Sequence, residues 1–312
     1  MKNYLLVSFL VGCSFFATAQ QDAQYTQYMY NTMSINPAYV GSRGALSIAG
    51  LYRSQWVGLE GAPTTQTFNV HSPIGKSVGL GLSIVNDEIG EGVNQETYFD
   101  VSFSYTLPVS ETGKLSFGIK GGGHLLDLDF TVLSQYVGEL SAANNIDNKF
   151  SPNVGAGVYY HTNKFYFGIS VPNFLQTEHF DSSSNSNDAS SYIAAERINY
   201  YAITGYVFDL SDTWNVKPAV LAKVVNGAPL QLDMSANFWY QQKLTLGAAY
   251  RWSAAWSVMA GFQVGDSFMI GMAYDKETTD LGNTTFNDGS FEVFLRYELF
   301  KNFDKIISPR FF

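Results

Sequence analysis

Apolar residues alternate one for one with small or polar residues in segment after segment, nearly to the end of the chain, and a period of two means strands. In 77–85, Val78, Leu80, Leu82 and Ile84 alternate with Ser77, Gly79, Gly81 and Ser83. In 164–171, Phe165, Phe167, Ile169 and Val171 alternate with Tyr166, Gly168 and Ser170. Residues 230–240 set Leu230, Leu232, Met234, Ala236, Phe238 and Tyr240 against Gln231, Asp233, Ser235, Asn237 and Trp239. About fourteen such segments follow one another, near 45–56, 64–74, 77–86, 95–108, 114–130, 152–161, 164–173, 196–209, 214–225, 229–240, 243–252, 255–264, 268–276 and 289–300. No apolar run approaches the ~20 residues of a membrane-spanning helix. Charged residues make up 14% of the 312 and aromatic residues 16%, whereas a soluble domain carries about 25% charge. These features leave two classes, an all-β secreted protein such as a sandwich or solenoid, and a membrane β-barrel.

The connections decide between them. Gly75-Lys76, Glu111-Thr112-Gly113, Thr162-Asn163, Ser211-Asp212 and Gly265-Asp266 are tight, and the connections between them, 57–63, 87–94, 131–151, 174–195 and 277–288, are mostly longer. Asn226-Gly227 and Ser253-Ala254 are the short exceptions. A sandwich has no reason to sort its loops by parity. An outer-membrane barrel does, with short periplasmic turns and long extracellular loops. The two strand faces agree. One is apolar for ~10 residues per strand, enough to cross a bilayer at a tilt of ~45°. Rings gather at its ends, Tyr52, Trp56, Tyr250, Trp252, Trp256 and Tyr274 on the loop side and Tyr105, Phe208 and Tyr240 on the turn side, like interfacial aromatic girdles. The other face carries Asp100, Lys120, Lys217, Lys223, Asp233, Arg251, Glu292, Arg296 and Glu298, charges that belong in a lumen. A sheet in hydrocarbon must also close, because unpaired backbone there is prohibitive. The expected fold is all-β, a single closed antiparallel transmembrane outer-membrane barrel of about 14 strands. A short N-terminal segment is expected at its periplasmic mouth.

Residues 1–19 read as a signal peptide: Lys2, an apolar stretch from Leu5 to Phe16, then Ala17-Thr18-Ala19 as a small-x-small cleavage site. Leu10-Val11-Gly12-Cys13 offers a competing lipobox; on either reading the protein is exported. Cys13 is the only cysteine, so a mature chain beginning at Gln20 has neither a disulfide framework nor a thiolate metal site. Residues 20–44 form the expected periplasmic segment, where Tyr25, Met29, Met33 and Ile35 suggest a short helix. The barrel follows over 45–300, and 301–312 is a tail ending in Phe311-Phe312, an aromatic terminus like those that serve barrels as an assembly signal. Fourteen strands fall between barrels filled by side chains and barrels that leave a channel. Opposite charges could pair across the lumen and the N-terminal segment could obstruct it, so the sequence leaves the lumen's state open.

Motifs that carry chemistry are few. His71, His124, His161 and His179 are widely spaced, without the i, i+4 pairing of a helix-borne metal site. Gly121-Gly122-Gly123 lacks the Lys-Ser/Thr of a phosphate loop, and His124-Leu125 continues a strand. The acidic group Asp87, Glu88 and Glu91, expected in an outer loop, lacks the spacing of a calcium loop. No Gly-x-Ser-x-Gly elbow presents a nucleophile. The net charge of −9 argues against a nucleic-acid partner, which needs clustered Lys and Arg. No enzymatic activity, cofactor or metal is expected.

Two blocks near the start carry a family resemblance. Ala23-Gln24-Tyr25-Thr26-Gln27-Tyr28-Met29, then Asn36-Pro37-Ala38-Tyr39-Val40-Gly41-Ser42, resemble the opening of the PorP/SprF family of Bacteroidetes outer-membrane proteins. Tyr52-Arg53-Ser54-Gln55-Trp56-Val57-Gly58, Gly61-Ala62-Pro63, Ser72-Pro73, Asn86-Asp87 and the ending Ser308-Pro309-Arg310-Phe311-Phe312 add to the match. The resemblance implies a non-enzymatic barrel of type IX secretion in the outer membrane, linked to gliding adhesins. Its implied partners are outer-membrane lipid and the C-terminal sorting domain of a secreted protein or adhesin. For a related member they include peptidoglycan-associated and periplasmic ring components. The family supplies no catalytic residues. Asn36-Pro37 would fix the chain's entry into the first strand, and Gly61-Ala62-Pro63 would shape the first outer loop. A small-molecule channel and a purely structural link to the periplasmic ring are the alternative functions.

Recognition is expected in the two longest outer loops, because loops on a rigid scaffold usually carry it. Leu133, Tyr136, Val137 and Leu140 in 131–151, and Phe174, Leu175 and Phe180 in 174–195, are apolar groups available to a protein partner.

Overall fold

The computed structural model describes residues 24–133, 145–176, 197–226, 228–279, 282, 284 and 286–300. Its alternating segments form one antiparallel meander: β1 (Leu46–Ser54), β2 (Thr64–Ile74), β3 (Val78–Ile89), β4 (Asn94–Pro108), β5 (Lys114–Leu128), β6 (Ile146–His161), β7 (Phe165–Val171), β8 (Asn199–Tyr206), β9 (Phe208–Asp209), β10 (Trp214–Val225), β11 (Gln231–Tyr240), β12 (Leu244–Arg251), β13 (Ala255–Val264), β14 (Phe268–Glu277) and β15 (Ser290–Leu299). β8 and β9 are one stave interrupted at Val207, since both pair with β10. The sheet therefore has fourteen staves, and pairing of β15 with β1 from Leu46↔Leu299 to Ser54↔Phe291 closes it into a barrel.

The outward face is apolar along every stave. Val101, Ile119, Val258 and Met272 are each about 60% exposed to what would be lipid. Aromatic pairs mark the rims, Tyr250 on Trp256 with centroids 4.4 Å apart at the long-loop end, and Trp214 on Tyr240 at 4.6 Å at the short-turn end. Inward, Ser, Thr, Asn and the expected charges alternate with glycine. Of those charges, Asp100, Lys120, Lys217, Lys223, Asp233, Glu292, Arg296 and Glu298 are buried there and Arg251 is half-buried, while Arg53 and Asp275, not among those expected, are buried as well.

Three expectations change in detail. β6 begins at Ile146, not near 152, so the loop before it covers 129–145. Residues 146–151 pair with Leu128–His124 of β5, and their Asp, Asn and Lys side chains obscure the alternation in the sequence. Asp87 and Glu88 lie in β3 rather than in a loop, and Asp87 accepts the Thr65 hydroxyl across the ladder at 2.5 Å. The expected N-terminal helix is a single turn, Thr32–Ile35. The segment carrying it also goes deeper than one mouth, because Thr26 to Tyr39 are almost all buried inside the barrel.

The face assignment is tested on β13. Val258 points outward, while Gln263 is half-buried near the short-turn end. Val258→Arg should cost about 2–4 kcal/mol of barrel stability if it lies near the midplane, and Gln263→Arg much less. Urea unfolding in lipid vesicles measures both, and equal costs would mean a one-residue slip of register.

Candidate functional site

Residues 24–45 run through the lumen from one end to the other. Gln24 meets the long-loop end, where Arg251 Nη1 donates to its Oε1 at 2.9 Å and its own Nε2 donates to Gln231 at 3.4 Å. Tyr28 then shares a 3.1 Å hydrogen bond with Ser235 midway along β11. At the short-turn end Ser104 donates to the Val40 carbonyl at 2.7 Å, Gly41 N–H donates to His71 Nδ1 at 3.2 Å, and Arg43 pairs with Glu298. The chain then enters β1. Its apolar side chains Tyr28, Met29, Met33, Ile35, Tyr39 and Val40 pack against a patch of the inner wall that includes Tyr159, Tyr166, Ile203, Leu221 and Met259. Tyr30 stacks on Phe294 with centroids 4.8 Å apart.

The Asn36-Pro37-Ala38-Tyr39 block explains how a segment can sit so close to a sheet. Asn36 is extended, as a residue before proline prefers to be, and this ends the helical turn. Pro37 opens a short 3-10 helix, and Asn36 Oδ1 caps it by accepting the Ala38 N–H at 2.9 Å. Asn36 Nδ2 reaches into the wall and donates to the Val158 and Ile169 carbonyls at 3.1 and 3.4 Å. Three wall glycines, Gly118, Gly157 and Gly168, lie directly under Asn36, Pro37 and Ala38. A Cβ on Gly168 would lie 2.8 Å from Asn36 Nδ2, and one on Gly157 or Gly118 would overlap Asn36 or the Pro37–Ala38 backbone. Side chains larger than hydrogen at these positions would push the segment off its seat.

A buried ionic knot holds the other end. Arg53 Nη1 lies 2.7 Å from Asp275 Oδ2 and 3.4 Å from Glu292 Oε2. The same two carboxylates bind the segment: Glu292 accepts the Thr26 and Gln27 N–H groups, each at 2.9 Å, and Asp275 accepts the Thr26 hydroxyl at 2.5 Å. Arg53 donates to that hydroxyl at 2.9 Å. Two more pairs line the lumen, Lys120 with Asp100 and Arg251 with Asp233, both at 2.7 Å. Between segment and wall, a cup opens toward the long loops; Tyr25, Tyr28, Tyr98, Lys120, Lys223 and Asp233 are among its lining.

Other residues from the sequence blocks that carry the family resemblance lie at the rim. Trp56 holds a left-handed backbone and its indole donates to Glu277. Val57 N–H donates to Gly289 and the Val57 carbonyl accepts from Asp288 N–H, both at 2.8 Å, which joins loop 55–63 to the loop before β15. Gly58 and Gly61 have positive φ, and the Gly61 carbonyl accepts from Gly90 at 2.9 Å. Pro63 accepts from Gln55 N–H, and Asn86 donates to Thr97 at 2.9 Å. Of the residues expected to meet a partner, Phe174 and Leu175 are exposed at the long-loop end, where Asn153 anchors the Leu175 backbone. Leu133 ends a 3-10 turn after β5. At the base of that loop, the Thr131 hydroxyl and N–H and the Asn145 amide hold the Asp129 carboxyl below its usual range. Tyr136, Val137, Leu140 and Phe180 lie outside the described residues, as do Pro309, Arg310, Phe312, the leader and His179.

Among the described residues, no three His, Cys, Asp or Glu side chains are placed to hold a metal ion. His124 stacks on Tyr98 and His71 serves the segment. Sequence reasoning missed Thr26, Asp275 and the seat glycines as a unit. The only advance signal was inward placement of glycines and charges, which does not say what they face.

A closed meander with an apolar, ring-belted exterior and a charged interior defines an outer-membrane β-barrel, here with a segment of its own chain packed against the inner wall. Comparison with solved structures finds similar chains at low sequence identity. The monoaromatic hydrocarbon channel CymD is 10% identical, covers 86% of this chain and 93% of its own, and has a TM-score of 0.50. Acinetobacter baumannii Omp33 is 10% identical over 82% of this chain and 98% of its own, at 0.48. The Pseudomonas putida toluene transporter TodX is 9% identical over 86% and 92%, also at 0.48. Comparison with curated proteins gives no match. The chain belongs to the PorP/SprF family: the family of type IX secretion system membrane proteins PorP/SprF matches residues 17–297. Family and fold together indicate a non-enzymatic membrane component.

The knot makes a sharp prediction. Arg53→Met leaves two buried carboxylates uncompensated and should cost about 3–5 kcal/mol. Neutralising them as well, with Asp275→Asn and Glu292→Gln, should recover most of that loss. Heat-modifiability on gels and urea midpoints report both, and an unchanged single variant would mean the knot contributes nothing.

Proposed function

We propose that this protein docks, exports or anchors a large secreted cargo, such as a gliding-type adhesin, at the cell surface as part of type IX secretion. Family membership supports the secretion role. The observation that carries the docking reading is the occupied lumen. A segment bonded to the wall at both ends of the lumen occupies part of its cross-section, which supports a partner surface at the outer loops and rim. Phe174 and Leu175 are exposed there, on a backbone pinned by Asn153. A fixed loop base presenting apolar side chains suits recognition of a protein, including the sorting domain that the family resemblance implies.

The name of CymD, a monoaromatic hydrocarbon channel, favours a second reading, a channel for small or hydrophobic molecules. That likeness is one of fold at 10% identity, and the seated segment weighs against a free passage. A purely structural link from the short-turn end to the periplasmic ring is the third reading.

Shortening loops 129–145 and 172–198 to tight turns tests the first. The barrel should remain heat-modifiable, while the secreted partner should appear in the medium or fail to be exported. Surface immunostaining of the partner reads the outcome. Normal display with both loops shortened would overturn docking through these loops.

A further inference from the structure

The cup beside the segment has a volume of about 790 Å³ counted to its open mouth, a size common among small-molecule sites. Its floor is the chain's own segment, through Tyr28, Ser34 and Ile35. Its mouth lies at the long-loop end, where Gln24, Gln231 and Asn173 line it. One wall carries Ser83, Asp100 and Lys120 from the adjacent strands β3, β4 and β5. Lys120 Nζ donates to Asp100 Oδ2 at 2.7 Å, and the two residues are 9% and 8% exposed. Among the described residues this is the pair's one side-chain hydrogen bond. Donors on the ammonium and an acceptor oxygen on the carboxylate therefore remain for a visitor. Ser83 faces Asp100 across the ladder, and its buried hydroxyl has no hydrogen-bond partner among the described residues. Another part of the wall carries Tyr201, Lys223 and Asp233. Lys223 Nζ stands 5.7 Å from the Tyr201 ring centroid, and Asp233 accepts from Arg251 at 2.7 Å and from Gln231 at 3.0 Å.

This mixture of groups selects a class of ligand. An anion entering the cup meets Asp100 and Asp233, and a cation meets Lys120 and Lys223. A zwitterion must compete with ion pairs already closed at 2.7 Å. A hydrocarbon would strip water from the pairs and return no hydrogen bond, which is costly. A neutral molecule with several hydroxyl groups meets none of these penalties. Each hydroxyl both donates and accepts, so neighbouring hydroxyls match an acceptor set beside a donor, as Asp100 is set beside Lys120. The C–H face of a sugar ring also suits an aromatic lining such as Tyr28 and Tyr201. We propose that the cup is a binding site for a sugar ring, entered from the cell-surface side and held by Ser83, Asp100 and Lys120. The ring is one unit of a saccharide, free or at the end of a surface glycan. The segment forms the floor, so the sugar is held there and not passed through. The cell-surface side follows from short turns facing the periplasm, and the site does not depend on the docking reading.

Isothermal titration calorimetry on the purified, heat-modifiable barrel tests the site, in a detergent without a sugar headgroup. Glucose, galactose, mannose and N-acetylglucosamine are the probes, with the β-1,4-linked tetramers of glucose and N-acetylglucosamine standing for chain ends. At least one should bind saturably. Equal affinity for a sugar and its tetramer assigns the cup to free sugar, and tighter binding of the tetramer assigns it to a glycan. Asn173→Trp narrows the mouth from just beyond β7, outside the strand ladder. It should abolish binding and leave the barrel heat-modifiable. Asp100→Asn combined with Lys120→Met removes the pair together, so that no buried charge is left alone. It should weaken binding about tenfold or more. Absence of binding by every probe, or binding that either folded variant leaves unchanged, would overturn the proposal. None of these measurements involves cargo display, so failure of the sugar site and failure of the docking reading are distinguishable.

Discussion

The close approach of one backbone to another, possible only at glycine, is the contact on which the rest of this barrel depends. A fourteen-stave sheet lies between barrels that side chains fill and barrels that leave a channel, so particular residues decide what its lumen holds. Here Gly118, Gly157 and Gly168 on neighbouring strands leave a hollow in the inner wall into which Asn36, Pro37 and Ala38 settle. Asn36 then uses its one side chain to cap the following turn and to bond two wall carbonyls. The tyrosines and methionines of the segment spread over the adjacent apolar patch of the wall. The lumen becomes a core in the ordinary sense, with apolar packing on one side and paired charges on the other.

The paired charges locate the segment. Arg53, Asp275 and Glu292 come from three strands, β1, β14 and β15, two of which form the seam that closes the sheet. Buried ion pairs recover their desolvation cost only when geometry and extra hydrogen bonds are right, and Thr26 and Gln27 supply those bonds. The segment and the seam therefore complete each other: without Thr26 and Gln27 the carboxylates lose donors, and without the carboxylates two buried N–H groups lose acceptors. The rim residues Trp56, Gly58 and Gly61 extend the same side of the barrel upward by joining the loops above it.

Much of this was legible in the sequence. Alternation gave strand positions and faces, because a bilayer outside and a polar lumen inside impose opposite demands on successive residues. Most of the inward charges were named from that rule, Arg53 and Asp275 being the exceptions. What could not be read was the partner across a long sequence gap. Tyr25, Met29 and Met33 have helical spacing, yet Tyr25 and Met29 lie outside the single helical turn, because wall contacts hold them better than helix bonds would. Gly157 and Gly168 looked like ordinary strand glycines, since nothing local says that Asn36, over 120 residues earlier, occupies the space above them. Outside the membrane the alternation loses its driving force, which is why the start of β6 at Ile146 and the end of β3 at Ile89 ran past their expected limits.

The central claim is that this barrel is closed by its own amino-terminal segment and works through its surface. Single-channel recording in planar bilayers tests it most directly, with the full protein compared with one lacking residues 26–40. The account predicts no steady conductance from the full protein and discrete steps from the shortened one, provided it still inserts as a heat-modifiable barrel. Steady large conductance from the full, folded protein would contradict the account and return the channel reading to first place.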